Sequence, residues 1–423
     1  MSFNERIAII GLGYVGLPLA TEFAKKYKVI GYDVDMVRIK ELKRGIDKTK
    51  EISKKKFLLN KNLLFTNNYN HMKNSDFFIL TVPTPITKNK KPDLSIIKKA
   101  AFTVAKVMKK GTIIILESTV YPGVTEDYLV PILEKQSKLK HKKDFFVAYS
   151  PERINPGETK YKLTNIKKIV GADNETTLSK VSKIYKKIIK AGIHKVSSIK
   201  VAEASKAIEN AQRDINIAFV NEVMMLSKAL NINSNEVLEA AKTKWNFLDF
   251  SPGLVGGHCI GVDPYYLTYK ANKIGYESVL TLAGRRLNDN MHNFILKKLY
   301  KSLNKNLKKK KYKFLIIGLT FKENVNDFRN SRSIVLAKEI SKNGHNLDVY
   351  DKNVSIKEFK KEHRLNIIKK PKKKHYDAIL ITVAHDDIKK FKIEYLYSLL
   401  NDKEKGKIFD VKNVFNQKKF LTI

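Results

Sequence analysis

The stretch IAIIGLGYVGLPLA, residues 7–20, joins a short apolar run to a glycine turn and a second apolar segment. Gly11, Gly13 and Gly16 fit the pattern G-x-G-x-x-G. A helical pattern follows the turn, and a second strand-like run ends at Asp33. Strand, glycine turn, helix, strand and an acidic residue about 20 positions on are typical of a dinucleotide-binding βαβ unit. We therefore expect a Rossmann-like parallel sheet.

Each glycine of this turn has its own reason to lack a side chain. Gly11 permits the tight turn, Gly13 lets a pyrophosphate approach the backbone, and Gly16 lets helix and strand pack closely. The helix N-terminus, with Tyr14 and Val15 in the turn, then offers free N–H groups to the phosphates. The turn is thus predicted to bind a cofactor; the alternative is a glycine turn that binds nothing.

Polar residues after neighbouring strands complete the predicted cofactor site. Asp33 would accept hydrogen bonds from ribose hydroxyls and repel a 2′-phosphate, so the sequence predicts NAD and not NADP. Arg38 would either cap the adenine or pair with Asp33. Thr84, in the motif TVPTP, would line the cleft at the C-terminal end of a strand, where ligands of such sheets bind.

The rest of the N-terminal segment repeats the alternation of apolar runs and helical patterns. The runs YKVIGYD, SDFFILTVP, GTIIILEST and FFVAYSPER end in Gly, Pro or polar residues, and helical patterns such as residues 17–26 and 93–109 separate them. Such an alternation is typical of a parallel sheet buried on both faces. We expect residues 1–198 to form the NAD-binding domain.

The opening pattern returns near the C-terminus. FLIIGLT, residues 314–320, is followed by SIVLAKEISKNGHNLDVYDKN, residues 333–353, and then by DAILITV and KGKIFDV. Thr320 replaces the second glycine, and the chain continues into Phe321 and Lys322. Residues 304–423 are therefore predicted to form a second Rossmann-like domain that keeps the sheet and has lost the dinucleotide turn.

Residues 199–303 have a helical pattern. Residues 199–230 carry apolar residues at helical spacing and contain neither Gly nor Pro. A helix of this length bridges two domains or forms a dimer interface. A Gly- and Pro-rich loop, residues 251–264, interrupts the helical region, and a lysine-rich linker, residues 303–313, ends it. The predicted fold class is α/β, with two doubly wound parallel-sheet domains joined by a long central helix and a helical dimerisation region.

Lysine dominates the charge of the chain. The sequence has 82 Lys and Arg against 42 Asp and Glu, a formal net charge of +40. The excess is mostly lysine in short clusters within polar stretches, while arginine, which reads bases by bidentate contacts, is scarce. This pattern favours a solvated basic surface over nucleic-acid binding. A positive field would also attract an anionic nucleotide substrate.

The location is predicted from what the sequence lacks. One cysteine cannot form an internal disulfide, so nothing indicates an oxidising compartment. The N-terminus has no apolar signal-peptide core, and no apolar run approaches the roughly 18 residues that cross a bilayer. No His/Cys cluster has metal-ligand spacing. We expect a cytoplasmic protein with no membrane insertion and no metal.

The only cysteine, Cys259, lies in GLVGGHCIGVD, residues 253–263. Gly256 and Gly257 remove side chains beside it, which suits a thiol that a substrate must reach. In an NAD enzyme such a thiol can add to an aldehyde, the resulting thiohemiacetal can give up a hydride, and water can hydrolyse the thioester. The alternative is a cysteine buried as a small apolar residue.

Seven motifs, in order, resemble the UDP-glucose/GDP-mannose dehydrogenase family over essentially the whole chain: IAIIGLGYVGLPLA, TVPTP, ESTVYPG, SPERINPG, EASKAIENAQRDINIAFVNE, GGHCIGVDPYYL and GLTFKENVNDFRNSR. The resemblance implies an NAD domain, a central long helix with dimer contacts and a C-terminal domain that binds the nucleotide of the sugar. It also implies a homodimer or higher homo-oligomer that oxidises C6 of a UDP-sugar in two hydride transfers.

The resemblance also implies individual roles. Cys259 is similar to the nucleophile that captures C6, and Asp263 to the carboxylate that activates the hydrolytic water. Lys206 and Asn210 match a Lys-x-x-x-Asn pair on one helix face that would stabilise an oxyanion. The other assignments are Glu152 near the C6 hydroxyl, Thr119 on a water or the nicotinamide, Arg153, Gly256, Gly257, His258 and Lys322 on the substrate, and Arg329 on the cofactor.

Three of these residues have plain structural alternatives. Lys206 could be a solvated helix lysine, Glu152 could cap a helix, and Asp263 before Pro264 could start a turn. His258 is interpreted as a substrate or packing residue and not as a base.

The loop around Cys259 bears on the substrate. UDP-glucose enzymes usually have Ser before the cysteine and Lys before the aspartate, whereas this chain has His258 and Val262, followed by PYYL. This version resembles bacterial enzymes acting on UDP-N-acetylhexosamines, most closely the UDP-N-acetylglucosamine 6-dehydrogenases of capsule and O-antigen pathways. UDP-GlcNAc is the expected substrate; the alternatives are UDP-GalNAc, UDP-ManNAc, UDP-glucose or, from another class, a non-catalytic NAD-binding protein.

Overall fold

The computed structural model describes residues 5–49, 51–53, 60–87, 89–154, 161–306 and 311–423. Contacts divide the chain into two units, residues 1–209 with 265–277 and residues 210–264 with 278–423. The three predicted domains, 1–198, 199–303 and 304–423, follow a different division, which stays a prediction. The lysine-rich linker lies outside the described residues at 307–310, and the motif SPERINPG does so at 155–157.

The first unit contains an eight-stranded sheet in the order β3-β2-β1-β4-β5-β6-β7-β8. Neighbouring strands are parallel except β6 and β7, which are antiparallel. The order reverses between β1 and β4, and ligands of such sheets bind beside the C-terminal ends of the strands at this point. The strands are β1 (Arg6–Ile10), β2 (Lys28–Tyr32), β3 (Leu63–Thr66), β4 (Phe77–Leu80), β5 (Thr112–Leu116), β6 (Phe145–Tyr149), β7 (Lys168–Ala172) and β8 (Ile193–Lys195).

Two apolar cores cover the two faces of this sheet. Ile7 and Ile9 of β1 belong to one core, and Ala8 and Ile10 belong to the other, because successive side chains of a strand point to opposite faces. The helices are α1 (Gly16–Phe23), α2 (Met36–Lys43), α3 (Ser95–Ala105), α4 (Val130–Ser137) and α5 (Glu175–Lys186). The expected parallel sheet buried on both faces is confirmed, with the difference that β6 and β7 pair antiparallel.

The second unit contains a five-stranded, wholly parallel sheet in the order β11-β10-β9-β12-β13. This repeats the order β3-β2-β1-β4-β5 of the first unit, as the repeated sequence pattern predicts. The strands are β9 (Lys313–Ile317), β10 (Asn346–Tyr350), β11 (Asn366–Ile367), β12 (Ala378–Ile381) and β13 (Lys407–Asp410). The helices after β9 are α10 (Arg332–Lys342), α11 (Ile356–Glu362), α12 (Asp386–Lys389) and α13 (Ile393–Leu399).

The repeat extends to the first glycine and the acidic residue of the turn. Gly318 has a φ of 92°, like Gly11 at 95°. The N–H of Leu319 donates to Asp351 at 2.6 Å, as Leu12 donates to Asp33 at 2.8 Å. The copy differs in that His385 lies 3.0 Å from the Asp351 carboxylate and both side chains are buried. The carboxylate is thus covered by the protein itself, in keeping with the predicted loss of dinucleotide binding.

Four further helices belong to the central part of the chain. They are α6 (Ile199–Ala229), α7 (Ser234–Lys242), α8 (Asp263–Lys273) and α9 (Val279–Asn306). The predicted long helix is confirmed, and its 31 residues make it about 46 Å long. None of the helices in the described ranges has a stretch long and apolar enough to cross a membrane.

Helix α6 buries several polar residues and exposes several apolar ones. A surface helix normally buries its apolar stripe and exposes its polar face. Here the buried polar residues include, at intervals of three, four, four and seven, Glu203, Lys206, Asn210, Asp214 and Asn221, while the apolar residues Val201, Ile208, Phe219 and Leu226 are exposed. The polar side chains therefore need protein partners, and the apolar ones are available for another surface.

Candidate active site

The glycine turn has the shape that its sequence predicts. Gly11 has a positive φ, which glycine adopts without strain. A Cβ added to Gly16 would lie 1.8 Å from the Gly11 carbonyl oxygen, whereas a Cβ on Gly13 would meet no protein atom within 4 Å. Gly16 therefore allows close packing, and Gly13 faces open space. Tyr14 and Val15 lie half-buried between them.

Asp33 and Arg38 extend the turn, but they do not pair with each other. The Asp33 carboxylate accepts from the backbone N–H groups of Leu12 at 2.8 Å and Asp35 at 3.0 Å. Arg38 donates to the Leu12 carbonyl and forms an ion pair with Asp47 at 2.8 Å. The predicted Arg38–Asp33 pair is therefore wrong, because a carboxylate from the loop after α2 takes the guanidinium. The predicted adenine contact of Arg38 stays a prediction.

Thr84 and Thr119 lie together beyond the ends of β4 and β5. The Thr84 hydroxyl donates to the Thr119 carbonyl at 2.7 Å, and the Tyr266 hydroxyl donates to the Thr84 carbonyl at 2.6 Å. Both threonines are half-buried. The two thus lie at the sheet edge that carries the glycine turn, as expected for residues lining a cofactor cleft.

These features fit NAD. Gly13 leaves the room that a pyrophosphate needs beside the backbone, and the N-terminal end of α1 faces the turn. Each oxygen of Asp33 uses one backbone donor, and a carboxylate oxygen accepts two hydrogen bonds, so the carboxylate can also accept from ribose hydroxyls. NAD, when bound, would supply the acceptor for a hydride.

Glu152 is buried, and its carboxylate is held from both sides. One oxygen accepts from the N–H groups of Arg153 at 2.6 Å and Ile154 at 2.5 Å, and the other lies 3.4 Å from the Lys168 ammonium. None of the helices in the described ranges begins at Glu152, and residues 155–160 lie outside those ranges, so the capping alternative stays open. Arg153 donates to the Lys167 carbonyl and pairs with Glu209 at 2.9 Å.

Lys206 is only 7% exposed, so the alternative of a solvated helix lysine is wrong. Within the described part of the chain, no carboxylate forms an ion pair with it. One turn earlier, Glu203 accepts from the N–H groups of Gly123 and Thr125 and from the Thr125 hydroxyl. Burial raises the pKa of Glu203 to about 7, although these hydrogen bonds lower it. Glu203 thus ties the segment after Thr119 to helix α6.

In the second unit, Cys259 lies half-buried in a turn just before helix α8. Its carbonyl accepts from the N–H groups of Val262 at 3.0 Å and Asp263 at 2.8 Å. The thiol is not sealed in a core, so the alternative of a cysteine buried as an apolar residue does not describe it. A Cβ on Gly257 would lie 2.6 Å from the ring of Phe321, and one on Gly256 would lie 2.6 Å from the Asn330 carbonyl oxygen. These glycines let the loop pack directly against the segment after β9.

Asn210 and Asp263 meet beside this loop. The Asn210 amide donates to the Asp263 carboxylate, and Arg213 donates to the Asn210 carbonyl oxygen. Both Asn210 and Asp263 are almost fully buried. Asp263 follows a turn at residues 257–262 and is the first residue of helix α8, so it begins a helix and not, as the structural alternative had it, a turn. Its buried contact with Asn210 goes beyond that alternative.

His258 and Arg329 converge on one carboxylate. His258 lies 3.0 Å from Asp327, and Arg329 donates to both oxygens of Asp327 at 3.0 and 2.7 Å. Burial alone would raise the pKa of Asp327, but the hydrogen bonds from His258 and Arg329 outweigh it and lower the pKa below its usual range. His258 also packs edge-on against Phe321. Lys322, next in the chain, is half-buried.

Asn221 anchors the cysteine loop through its side-chain amide. It donates to the Gly253 carbonyl at 3.1 Å and accepts from the Gly253 N–H at 2.8 Å. Its amide also donates to Asn288 at 2.9 Å, and Asn288 in turn donates to Asp214. All these side chains are buried, so each lost hydrogen bond would leave an unsatisfied group at a cost of about 1–3 kcal/mol.

We expect Asn221→Ala to loosen the cysteine loop. Because Cys259 is the only cysteine, its rate of alkylation by iodoacetamide reports on this loop alone. The rate should rise at least about fivefold, roughly the population shift that 1 kcal/mol produces. Asn216→Ala is the matched control, since Asn216 bonds only within its own helix. An unchanged rate in a folded Asn221→Ala protein would contradict the anchoring role.

Comparison with known proteins matches three successive regions of the chain to one family. Residues 5–189 match its NAD binding domain, residues 200–290 its central domain, and residues 315–417 its UDP binding domain. The chain belongs to the UDP-glucose/GDP-mannose dehydrogenase family. The predicted family, the NAD cofactor and the class of enzyme, an NAD-dependent UDP-sugar dehydrogenase, are thereby confirmed.

Several curated relatives match the chain over nearly its full length. Protein CapL of Staphylococcus aureus is 48% identical, over 98% of this chain and 97% of that protein. The UDP-N-acetyl-D-glucosamine 6-dehydrogenase of Salmonella typhi is 48% identical over 97% and 96%, and that of Pseudomonas aeruginosa is 45% identical over 98% of both chains.

Solved structures share the fold. The UDP-D-ManNAc dehydrogenase of Pyrococcus horikoshii superimposes with a TM-score of 0.87 at 32% identity, over 99% of this chain and 98% of that one. The UDP-N-acetyl-mannosamine dehydrogenase Cap5O of S. aureus has a TM-score of 0.83 at 27% identity, over 99% and 97%.

The sequence analysis assigned no role to five buried polar residues that contact the candidate site residues or their loops: Glu117, Lys168, Glu203, Asn221 and Asp327. All but Lys168 lie within the seven motifs. Glu203 and Asn221 share the helical spacing of the buried polar face of α6, and that spacing is a signal that could have found them. Among the described residues no group of three His, Cys, Asp or Glu side chains could hold a metal ion. The predicted absence of a metal stays a prediction.

Proposed function

We propose that the chain is a UDP-N-acetyl-D-glucosamine 6-dehydrogenase. The C6 alcohol, two NAD⁺ and one water would give the uronate, two NADH and three protons. The proposal rests chiefly on the 48% and 45% identity, over nearly whole chains, to two proteins named for this activity. The His258 and Val262 positions around Cys259, which set the chain apart from UDP-glucose enzymes, support it. The uronate would serve the synthesis of a surface polysaccharide such as capsule or O-antigen.

The proposed chemistry assigns a role to Cys259 and to four further residues. The thiolate adds to the C6 aldehyde formed by the first oxidation, and the second oxidation leaves a thioester. Asp263 activates the water that hydrolyses the thioester. Glu152 accepts the proton of the C6 hydroxyl. Lys206 and Asn210 stabilise the oxyanion, as a buried ammonium and a buried amide donor can do in a site that excludes water.

A panel of nucleotide sugars tests the substrate. Purified protein with NAD should reduce two NAD per UDP-GlcNAc consumed, with lower kcat/KM for UDP-GalNAc, UDP-ManNAc and UDP-glucose. NADP should support little turnover, because Asp33 would repel a 2′-phosphate. Equal or faster turnover with UDP-glucose would overturn the substrate assignment. NAD binding without turnover of any sugar would favour the non-catalytic alternative.

We also propose that the second unit pairs with a second copy of the chain. Phe219 and Leu226 lie seven positions apart on α6, so they share one helix face; Leu230 directly follows the helix, and each of the three is more than half exposed. The same unit also exposes Trp245, Leu248, Val279 and Leu280. Such apolar exposure is uncommon on a monomer, and it suits an isologous dimer in which the same helices meet.

Phe219→Glu combined with Leu226→Glu should convert the dimer to a monomer. Light scattering after gel filtration should give about twice 48.6 kDa for the wild-type protein and about 48.6 kDa, the mass of one chain, for the variant. Leu64→Glu is the control, because Leu64 is similarly exposed on β3 of the first unit. A monomeric wild type, or a dimeric double variant, would refute this interface.

A further inference from the structure

The first unit contains a buried cluster of charged residues that is separate from the glycine turn. The Lys168 ammonium lies 2.7 Å from Glu117 and 3.4 Å from Glu152. The Tyr185 hydroxyl donates to the other oxygen of Glu117, and the Lys168 ammonium lies 5.3 Å from the centre of the Tyr185 ring. All four side chains are at least nine-tenths buried. The cluster thus holds two carboxylates around one ammonium.

The one antiparallel pairing in this sheet, between β6 and β7, explains how these residues meet. Glu117 directly follows β5, and Glu152 lies three residues after β6. Because β7 runs against β6, its first residue, Lys168, lies at the edge where β5 and β6 end. The β6–β7 register pairs Ala148 with Ala172 and, continued along the strands, sets Glu152 opposite Lys168.

The composition of the cluster is not explained by stability alone. Burying an ammonium costs several kcal/mol, and a single carboxylate partner offsets much of that cost. Glu117 is this partner, and it also accepts a hydrogen bond from the Tyr185 hydroxyl. A second carboxylate adds repulsion: burial raises the pKa of Glu117 to about 7 although Lys168 opposes the rise, and Glu152 adds to it. A buried Lys168–Glu117 pair with only a structural role would be more stable without the Glu152 carboxylate.

We propose that Lys168 is a positioning residue for Glu152, and that Glu117 and Tyr185 hold Lys168 in place for this task. Two backbone N–H groups fix one oxygen of Glu152, and Lys168 engages the other. The carboxylate is thus restrained at both oxygens and kept next to a positive charge. The inference rests on the proposed function, in which Glu152 accepts the proton of the C6 hydroxyl.

Removing Lys168 alone would leave Glu117 buried and unpaired, so the test uses paired variants. Glu117→Gln is the reference, because the new amide oxygen can still accept from Lys168. Glu117→Gln with Lys168→Met then removes only the ammonium from that background, and replacing both members of a buried pair is often neutral for stability. A second pair, Glu117→Gln with Lys168→Gln, covers the case in which methionine packs poorly.

The paired variants should lose kcat at least about tenfold relative to Glu117→Gln, part of the 10²–10⁴-fold that a positioned acid or base contributes. KM for the sugar and Kd for NAD should change less than about threefold. In a Glu152→Gln background the same Lys168 change should add less than about threefold, because interacting residues are not additive. A folded paired variant with the kcat of its reference, or a full additional loss beside Glu152→Gln, would overturn the proposal.

Crystal structures of the reference and paired variants separate this inference from the proposed function. The Glu152 carboxylate should shift by more than about 1 Å when Lys168 is replaced, beyond the roughly 0.5 Å that a preorganised site tolerates. An unmoved carboxylate would overturn the positioning role whatever the activity. Absence of wild-type turnover with every sugar of the panel would instead overturn the proposed function, and the crystallographic comparison would still decide the role of Lys168.

Discussion

Cys259→Ser is expected to lower uronate formation from UDP-GlcNAc by at least about 1,000-fold. Loss of an enzyme nucleophile typically costs this much or more, because a hydroxyl is a far weaker nucleophile than a thiolate near neutral pH. Cys259 lies half-buried in a turn before α8, and the replacement is nearly the same size, so the fold should tolerate it. NADH formation, followed by absorbance, and uronate, measured by mass spectrometry, would check the result.

Two controls separate chemistry from folding in this variant. The melting temperature should stay within about 2 °C, which for a unit of roughly 200 residues corresponds to less than about 1 kcal/mol. The Kd for NAD should stay within about twofold, since the glycine turn belongs to a different part of the chain. A folded Cys259→Ser protein that still makes uronate at a tenth of the wild-type rate would exclude covalent catalysis by this residue.

Local patterns predicted those parts of the fold that depend on neighbours in sequence. The turn at residues 11–16 was predictable because the need for glycine at positions 11, 13 and 16 depends on the conformation of the turn itself. The repeat at Gly318 and Asp351 was predictable for the same reason. Helix α6 was predictable from apolar spacing and the absence of Gly and Pro.

Contacts between distant segments were not predictable in this way. Pairing with Asp33, five positions away, was one of two expectations for Arg38, but Asp47, nine positions away in a loop, forms the ion pair with its guanidinium. Lys168 looked like one more lysine in a lysine-rich chain. Its burial depends on a strand that runs against its neighbour, which no local pattern in residues 168–172 reveals. Only the face of α6 that buries Asn221 carried a readable signal.

Three buried polar residues of α6 each contact a segment named in the proposed chemistry. Glu203 holds the segment after Thr119, Asn210 holds Asp263, and Asn221 holds the loop of Cys259. Each contact lies within a single unit. These contacts explain why Glu203, Asn210 and Asn221, unlike the polar residues of an ordinary surface helix, are buried.

Gly13→Ala and Gly16→Ala should both weaken NAD binding, but for different reasons. A methyl on Gly16 would lie 1.8 Å from the Gly11 carbonyl oxygen and 2.5 Å from the Thr81 hydroxyl oxygen, so the backbone must move. Overpacking of this kind costs about 1–3 kcal/mol or more, which for a unit of this size lowers the melting temperature by several degrees. The Kd for NAD should then rise at least about 100-fold, because the cradle itself is distorted.

Gly13→Ala isolates the cofactor contact from the fold. Its methyl would meet no protein atom within 4 Å, so the melting temperature without NAD should not change. The methyl would occupy the space through which a pyrophosphate reaches the backbone, and the Kd for NAD should rise about tenfold or more, equivalent to roughly 1.4 kcal/mol of lost contact. Titration calorimetry with NAD and thermal melts of both variants would separate the two effects. Unchanged affinity in Gly13→Ala would mean that the pyrophosphate does not lie against this turn.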